Sequence, residues 1–391
     1  MQRGQLRKFV VQLRHWEDAD LKIKSVRAYP LTVPIGDLQR TSQGSFGTIS
    51  IVVVVVETDT GITGVGEGLA RFGPKSYAEL IDGLLAPKII GMDPFAVEAI
   101  WQKLFRTFSG RSGGMLIEAI SAIDIAIWDI LGKEVGRPVY ELLGHMDRTG
   151  IRAYASSIPW TDDANAAKVV EDCLADGFKE MKVKIGAPVE ASIARAKLVR
   201  EVAGPNIRLT ADSNWIFDVD DALEVGKGLA ELGYFWFEEP IVPEDIEGYK
   251  WLRQKLPLRL AGGESEHTAI GAAPLLAARA VGVIQPDVAR SGGISETRKI
   301  ANLAAAMHIP YAPHVGASGA ICAAASLHLA AAMPNFLTFE CMIFPNPLRD
   351  KLLKEPVGSK DTLVDGALPL PRGPGLGVEL NMEEVERWTT A

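Results

Sequence analysis

The sequence predicts an α/β protein: a (β/α)8 barrel of modified TIM type, capped by a smaller α+β domain. Three observations predict this fold. The chain has 391 residues, too many for one small core and enough for a barrel of roughly 250 residues plus a second domain. From about residue 150 onward, β-rich runs alternate with helix-length amphipathic segments. Each predicted strand from the second onward ends in an ionisable residue.

Eight segments have the composition of strands. They are IRAYASS from Ile151, FKEMKVKIG from Phe178, IRLTADSN from Ile207, FWFEEP from Phe235, RLAGGE from Arg259, VGVIQPD from Val281, IPYAPH from Ile309 and FLTFE from Phe336. Helical patterns separate them, such as Asp218 to Gly233, which has an acidic start and a glycine stop. Eight strands with crossover helices predict a closed parallel barrel. An open doubly wound sheet is the alternative, but no G-x-G-x-x-G motif follows an early strand.

The ionisable residues at the strand ends recur at spacings of 23 to 28 residues. They are Lys184, Asp212, Glu238, Glu264, Asp287, His314 and Glu340. In a barrel these positions form one ring at the carboxyl-terminal mouth, where active sites of this fold lie. A single strand-end carboxylate often only caps the next helix, but seven successive ends favour a site. Several carboxylates at one point repel one another, and this repulsion predicts a bound hard divalent cation.

The segment EMKVKIG places two lysines on one face of a strand. Side chains alternate across a strand, so Lys182 and Lys184 point the same way while Met181, Val183 and Ile185 point the other way. A solvent-facing sheet would give the same pattern. The ring of carboxylates favours the other interpretation, in which both lysines face the barrel mouth.

Composition excludes several classes of function. The net charge of -8 argues against general affinity for nucleic acid or an anionic membrane, because either requires a basic face. Three widely spaced cysteines indicate a reducing compartment, and we expect the cytoplasm. The longest aliphatic run, ISIVVVVVE, has the length of a strand rather than of a membrane helix. Residues 1–20 have no signal-peptide pattern and are interpreted as an extension.

A set of motifs, taken in order, identifies a family. The motifs are AISAIDIAIWDILGKEVGRPVYELLG from Ala119, the Lys-x-Lys strand, ADSN, FEEP, GGE, QPD followed by GG, PH and PGLGVE from Pro374. With them the chain resembles the mandelate racemase subgroup of the enolase superfamily from about Leu21 to Asn381. Each motif is weak alone, and their order and spacing carry the resemblance.

The resemblance implies a division of the chain. Residues 21–145 would form the α+β capping domain, 146–346 the catalytic barrel, and 347–391 a segment that returns to the cap. Family members commonly form even-numbered homo-oligomers, so a homo-oligomer between dimer and octamer is expected.

The resemblance also implies roles for the strand-end residues. Asp212, Glu238 and Glu264 would bind Mg²⁺, whereas Glu239 would be structural. Lys184 and His314 would be bases on opposite sides of the substrate, with Asp287 orienting His314. Lys182 would contact the substrate carboxylate, and Asn214 the substrate or the residues around it. Glu340 would stay protonated and donate a hydrogen bond to the developing enediolate.

These groups together predict removal of the proton alpha to a carboxylate. We favour dehydration of an acid sugar, an aldonate or aldarate, because the loop segments 40–47 (RTSQGSFG) and 70–74 (ARFGP) are polar and would rim the site. Racemisation, epimerisation or cycloisomerisation of a sugar lactone by the same ring are alternatives. A non-catalytic protein that binds sugar acids is a third possibility.

Overall fold

The amino-terminal region is an antiparallel sheet. The computed structural model describes residues 21–107 and 113–390. Strands β1 (Ile23–Thr41), β2 (Gly44–Thr58) and β3 (Thr63–Gly68) pair in that order. The valine-rich run lies in β2, where residues 51–54 are fully buried, as the sequence predicts for a buried strand.

The helices that follow this sheet pack on it or on one another. They are α1 (Pro74–Glu79), α2 (Ala86–Ile89), α3 (Val97–Phe105), α4 (Met115–Glu134) and α5 (Val139–Leu143), with a π-helical segment at Leu80–Leu85. Helix α4 packs directly on the backbone of β3. A Cβ atom on Gly66 would lie 1.8 Å from the carbonyl oxygen of Ala122, and one on Gly64 would lie 2.1 Å from that of Ala126. Glycine at both positions therefore permits the close approach.

The next part of the chain is a parallel sheet with crossover helices. The strands are β4 (Ile151–Ile158), β5 (Glu180–Lys184), β6 (Arg208–Asp212), β7 (Trp236–Glu238), β8 (Arg259–Gly262), β9 (Val283–Ile284) and β10 (Phe339–Met342). The helices are α6 (Asp163–Ala175), α7 (Val189–Ala203), α8 (Val219–Glu231), α9 (Ile246–Lys255), α10 (Thr268–Ala277), α11 (Gly293–Ala306) and α12 (Ala320–Ala332). The strand order is β10-β4-β5-β6-β7-β8-β9, a curled parallel sheet that confirms the predicted fold class.

One predicted strand is wrong in detail. The segment IPYAPH forms isolated parallel bridges instead of a continuous ladder: Tyr311 pairs with Ile284 on one side and with Phe336 on the other. Pro310 and Pro313 remove backbone donors that a ladder needs. The segment still lies between β9 and the chain leading into β10, and it places His314 opposite Asp287.

The carboxyl-terminal segment contacts both parts of the protein. It contains α13 (Pro347–Asp350), a 3-10 turn (Lys360–Thr362), β11 (Ala367–Leu368) and α14 (Met382–Trp388). Strand β11 pairs with β4 of the parallel sheet. The backbone N–H of Leu376 donates to Asp129 of α4 at 2.8 Å, and Thr389 forms a bridge with Leu31 of β1.

Two further sequence predictions concern cysteines and membranes. Cys173, Cys322 and Cys341 are free and buried. Their odd number and wide spacing in the sequence are typical of free thiols rather than of a disulfide framework. Across the described residues, no helix is both long enough and apolar enough to cross a membrane.

Candidate active site

The strand ends meet in one ring, as the spacing predicts. Lys184 pairs in register with Asp212, and Asp212 with Glu238, across β5, β6 and β7. Asp287 and His314 form a parallel bridge on the far side. In-register neighbours on parallel strands point to the same face, so these side chains converge on the mouth of the barrel.

Lys182 lies at the centre of the acidic side of the ring. Its Nζ is 2.5 Å from Glu238, 2.8 Å from Glu340 and 3.5 Å from Asp212. Burial lowers the pKa of this ammonium, but the carboxylates of Glu238 and Glu340 outweigh burial and raise the pKa well above its ordinary value. Lys182 therefore acts as the counter-ion of three carboxylates.

Lys184 lies closer to the pocket, with its side chain 10% exposed. Its Nζ donates to Asp212 and, at 3.0 Å, to the side-chain oxygen of Asn214. The backbone N–H of Asn214 donates to the other carboxylate oxygen of Asp212 at 2.9 Å. Asn214 and Trp215 have positive φ angles of 45° and 50°, so the chain turns sharply after β6. The turn aligns Asn214 with Lys184.

His314 is held by Asp287. Its Nδ1 lies 2.7 Å from Asp287, while its Nε2 lies 3.2 Å from Glu264 and 3.9 Å from Glu340. Burial lowers the pKa of His314, but Glu264, Glu340 and Asp287 outweigh burial and raise the pKa. A carboxylate at Nδ1 fixes the ring orientation and directs Nε2 toward the other acidic groups.

Glu340 accepts hydrogen bonds on both of its carboxylate oxygens. The hydroxyl of Ser156 donates to one carboxylate oxygen at 2.6 Å, and the backbone N–H of Val315 donates to the other at 2.7 Å. Burial raises the pKa of Glu340, but Lys182 and His314 outweigh burial and bring it far below its ordinary value. In this arrangement Glu340 is an acceptor on both oxygens, and its role as a protonated donor to the enediolate stays a prediction.

The predicted metal ligands supply suitable donors for a hard cation. Asp212, Glu238 and Glu264 are buried carboxylates with exposures of 1% to 3%. Burial raises the pKa of Glu238 to about 7, and its second oxygen accepts from Trp236 and Gln285. Oxygen donors of this charge are the ligands that Mg²⁺ prefers.

The carboxylates are arranged around cationic side chains. Lys182 contacts Asp212 and Glu238, whereas Glu264 lies beside His314. In the part of the chain that the structure describes, no three His, Cys, Asp or Glu side chains have the geometry of a metal site. The donor chemistry fits Mg²⁺, and the ligand set stays a prediction.

Glu239 is buried without a hydrogen-bond partner on either carboxylate oxygen within the described residues. Its φ angle is 42°, a strained value for a residue that is not glycine. Burial, together with the charges of Glu264, Asp212 and Glu238, raises its pKa well above the ordinary value. Its structural role remains a prediction.

A cavity of about 440 Å³ opens beside the ring. Five of the predicted site residues line it: Lys184, Asn214, Glu264, His314 and Glu340. The wall formed by residues 41–50 and 71–72 is mixed rather than polar, because Phe46 and Phe72 lie beside Gln43 and Arg71. This volume is within the usual range for small-molecule sites.

Sequence reasoning gave no role to two arginines near Glu264, although Arg71 lies in the segment 70–74 that it places at the rim. The guanidinium groups of Arg71 and Arg290 lie 3.6 and 3.8 Å from its carboxylate. Arg290 also donates to Glu118 of α4 at 3.2 Å, and Tyr77 donates to Glu118 at 2.5 Å. These contacts join the cap to the barrel mouth. Arg290 lies three residues after the QPD motif, and this position near a predicted site residue was the feature of the sequence that could have identified it.

Comparison with known proteins places the chain in a family. The model for the mandelate racemase / muconate lactonizing enzyme N-terminal domain matches residues 26–144, and the enolase C-terminal domain-like model matches residues 165–385. The chain thus belongs to the mandelate racemase and muconate lactonizing enzyme family of the enolase superfamily, as the motifs predict.

Particular relatives share nearly the whole length. D-galactarolactone cycloisomerase of Agrobacterium fabrum is 36% identical over 93% of this chain and 97% of its own. Arabinonate dehydratase of Saccharolobus solfataricus is 35% identical over 91% and 96%. The structure of a racemase from Streptomyces coelicolor A3(2) with bound magnesium is 28% identical over 94% and 100%, with a TM-score of 0.86. These similarities support the interpretation that this protein is an enzyme.

Proposed function

We propose that this protein removes the proton alpha to the carboxylate of an acid sugar and then eliminates water, giving a 2-keto-3-deoxy acid. The observation that carries the proposal is that Lys184 and His314 line one cavity. Both side chains can exchange a proton with a molecule bound there. Removal of a carbon-bound proton and departure of a hydroxyl need one base and one acid.

Lys184 is proposed as the base that takes the alpha proton, and Asn214 holds its ammonium product at 3.0 Å. His314 is proposed as the acid that protonates the departing hydroxyl through Nε2. Asp287 supports this role because it accepts from Nδ1 at 2.7 Å and keeps Nε2 toward the cavity. Glu340, on the same wall, accepts hydrogen bonds from substrate hydroxyls.

Mg²⁺ is the proposed cofactor, held by Asp212, Glu238 and Glu264. When bound, the cation stabilises the negative charge that builds on the substrate carboxylate as the proton leaves. Lys182 carries a positive charge beside two of these carboxylates, 2.5 Å from Glu238 and 3.5 Å from Asp212, and is proposed to contact the substrate carboxylate. A fixed positive charge at this point lowers the cost of the enediolate.

The substrate class rests on the cavity and the relatives. Arg71, Gln43 and Ser50 offer donors and acceptors to several hydroxyl groups, while Phe46 and Phe72 offer an apolar face to the carbon chain. Arabinonate dehydratase and several galactonate dehydratases are 32% to 35% identical to this chain. A hydro-lyase acting on an aldonate or aldarate is therefore the first candidate.

Cycloisomerisation of a sugar lactone is the second candidate. D-galactarolactone cycloisomerase is 36% identical to this chain, slightly more than arabinonate dehydratase at 35%. Both reactions start with the same proton transfer and differ in the leaving group, a hydroxyl in one and a lactone oxygen in the other. Our proposal keeps the dehydratase first because more of the related sequences carry that activity.

A substrate screen tests the proposal. The purified protein with Mg²⁺ is incubated with a set of aldonates, aldarates and their lactones, and products are identified by NMR. A 2-keto-3-deoxy acid from an open-chain substrate is expected. Turnover of lactones alone would replace the dehydratase with the cycloisomerase. If no sugar acid or lactone exchanges its alpha proton with deuterated water, the proposed chemistry is wrong.

A further inference from the structure

A second cavity, of about 1000 Å³, lies at the opposite end of the barrel from Lys184. The first residues of three strands are in its wall: Glu180 of β5, Arg208 of β6 and Arg259 of β8. The wall carries six basic side chains and two carboxylates, although the whole chain has a net charge of -8. A local excess of positive charge inside a cavity attracts small anions.

Four of the six basic groups have partners within the protein. Arg208 and Arg152 share the carboxylate of Glu180, at 3.0 and 3.8 Å, and Lys179 lies 3.9 Å from Asp365. The fourth basic group is Arg200, which donates to four backbone carbonyls. These contacts account for both carboxylates of the wall.

The other two, Arg253 and Arg259, have no hydrogen-bond acceptor and no carboxylate partner among residues 21–107 and 113–390. Burial and the positive charge of Arg259 both lower the pKa of Arg253. Both side chains line the cavity, and Arg259 is exposed and Arg253 half-buried, so an anion from solvent can reach both guanidinium groups.

Both guanidinium groups are held in place. Arg253 lies against the backbone at Gly282, where a Cβ atom would be only 2.7 Å from Nη1 of Arg253. Arg259 lies over the ring of Phe235 at 4.4 Å, and Arg208 lies over the same ring at 4.6 Å. Because the packing already orients the side chains, a ligand loses less entropy in ordering them.

We propose that this cavity binds a phosphate group between Arg253 and Arg259, either free phosphate or the phosphate of a small organic ester. A phosphate near neutral pH carries about 1.5 to 2 negative charges, which suit the two unpaired guanidinium groups. Its tetrahedral oxygens accept paired hydrogen bonds from the fork of each arginine. A ligand with a single carboxylate would neutralise only one of the two guanidinium charges.

Titration calorimetry on the full-length protein tests this site. The probes are inorganic phosphate, ribose 5-phosphate and malonate at constant ionic strength. One binding site per chain is expected, with either phosphate probe binding more tightly than malonate. Tighter binding of the ester would assign the site to an organic phosphate, and equal or weaker binding to free phosphate.

Variants assign the binding to this cavity. In Arg253→Gln/Arg259→Gln, and in the exposed single variant Arg259→Gln, phosphate affinity should fall by about 10-fold or more. Lys184→Ala, at the opposite end of the barrel, should leave the affinity unchanged. The control pair Lys227→Gln/Arg372→Gln, two exposed cations outside the cavity wall, should also leave it unchanged. Thermal melting shows that each variant is folded.

Four results would overturn the proposal. They are absence of binding of both phosphate probes to the wild-type protein, unchanged phosphate binding in the folded Arg259→Gln variant, loss of binding in Lys184→Ala, and malonate binding as tight as phosphate. None of them bears on the proposed dehydratase activity, which is measured separately.

Discussion

Lys182 donates a hydrogen bond to Glu238, with 2.5 Å between Nζ and Oε1, and both side chains are only 1% exposed. The same ammonium group lies 2.8 Å from Glu340 and 3.5 Å from Asp212. One buried cation thus balances three buried carboxylates. This balance links the stability of the barrel mouth to the groups proposed for catalysis.

Replacement of Lys182 should destabilise the protein when no metal is added. Lys182→Met leaves three carboxylates without their counter-ion, and we expect a loss of about 3 to 5 kcal/mol in the free energy of unfolding, measured by urea denaturation. Added Mg²⁺ should recover part of the loss, because it supplies charge to Asp212 and Glu238. The control Lys184→Met removes a cation that pairs with one carboxylate and should cost less. Equal stability of Lys182→Met and wild type would contradict this account.

Glu264 should contribute directly to magnesium affinity. Glu264→Gln keeps the shape of the side chain and removes its charge, so Mg²⁺ affinity measured by calorimetry should fall by at least about 10-fold. Glu266→Gln, two residues further along the chain, is the matched control and should bind Mg²⁺ as wild type does. Equal Mg²⁺ affinity in the two variants would exclude Glu264 from the ligand set.

Isotope exchange should distinguish the roles of Lys184 and His314. Lys184→Ala removes the proposed base, so both dehydration and exchange of the alpha proton with deuterated water should stop. His314→Ala removes the proposed acid, so dehydration should stop while exchange continues. NMR follows both signals on one sample. If exchange survives in Lys184→Ala and stops in His314→Ala, the two roles are reversed.

Glu67 should make stability depend on pH. It accepts from the backbone N–H groups of Gly319 and Cys322 near the start of α12, and burial raises its pKa to about 7 from an ordinary value of 4.5. The folded state therefore holds this proton more tightly than the unfolded state. Its contribution to stability is full below pH 4.5 and is lost as the pH rises through about 7.

The test compares wild type with Glu67→Gln, which cannot ionise. From pH 4.5 to pH 8, unfolding free energy of wild type should fall by about 3 kcal/mol relative to the variant, as urea denaturation measures at each pH. Glu79→Gln, an exposed carboxyl on α1, should show no such difference. A constant gap between wild type and Glu67→Gln would show that Glu67 is ionised throughout.

Much of the barrel follows from local sequence. The helix predicted from Asp218 to Gly233 is α8, Val219–Glu231; Asp218 accepts from two backbone N–H groups at its start, and Gly233 has a positive φ of 71°. Three predicted strand ends, Lys184, Asp212 and Glu238, coincide with observed strand ends. The strands before Glu264 and Asp287 end two and three residues earlier, and β10 extends two residues past Glu340. The strand predicted over 309–314 is wrong in detail, because its prolines leave the apolar pattern intact while removing the backbone donors of a ladder.

Contacts between distant parts of the chain could not be predicted from the sequence. Besides burial, the pKa of Glu340 depends on Lys182, His314 and Ser156, which come from three distant parts of the chain. The link from Arg290 to Glu118 joins residues 172 positions apart. No spacing rule predicts contacts of this kind, because they depend on how the cap is seated on the barrel.

Asp287 either forms a catalytic pair with His314 or has only a structural role near the end of its strand, and a substitution at this position distinguishes the two roles. One carboxylate oxygen lies 2.7 Å from Nδ1 of His314, and the other accepts from the backbone N–H of Ala289 at 2.8 Å. Asp287→Asn keeps the second contact but removes the charge that orients and stabilises the imidazolium. Turnover should therefore fall by about 100-fold or more, while Mg²⁺ affinity stays unchanged.

The control for Asp287→Asn is Asp218→Asn, which alters a carboxylate that only caps a helix. Asparagine caps nearly as well as aspartate, so this variant should lose about 1 kcal/mol of stability or less and keep its turnover. The pH profile of turnover should change in Asp287→Asn alone, because only that residue acts through His314. Unchanged turnover and an unchanged pH profile in Asp287→Asn, measured beside its thermal stability, would remove Asp287 from the mechanism and leave it a local backbone contact.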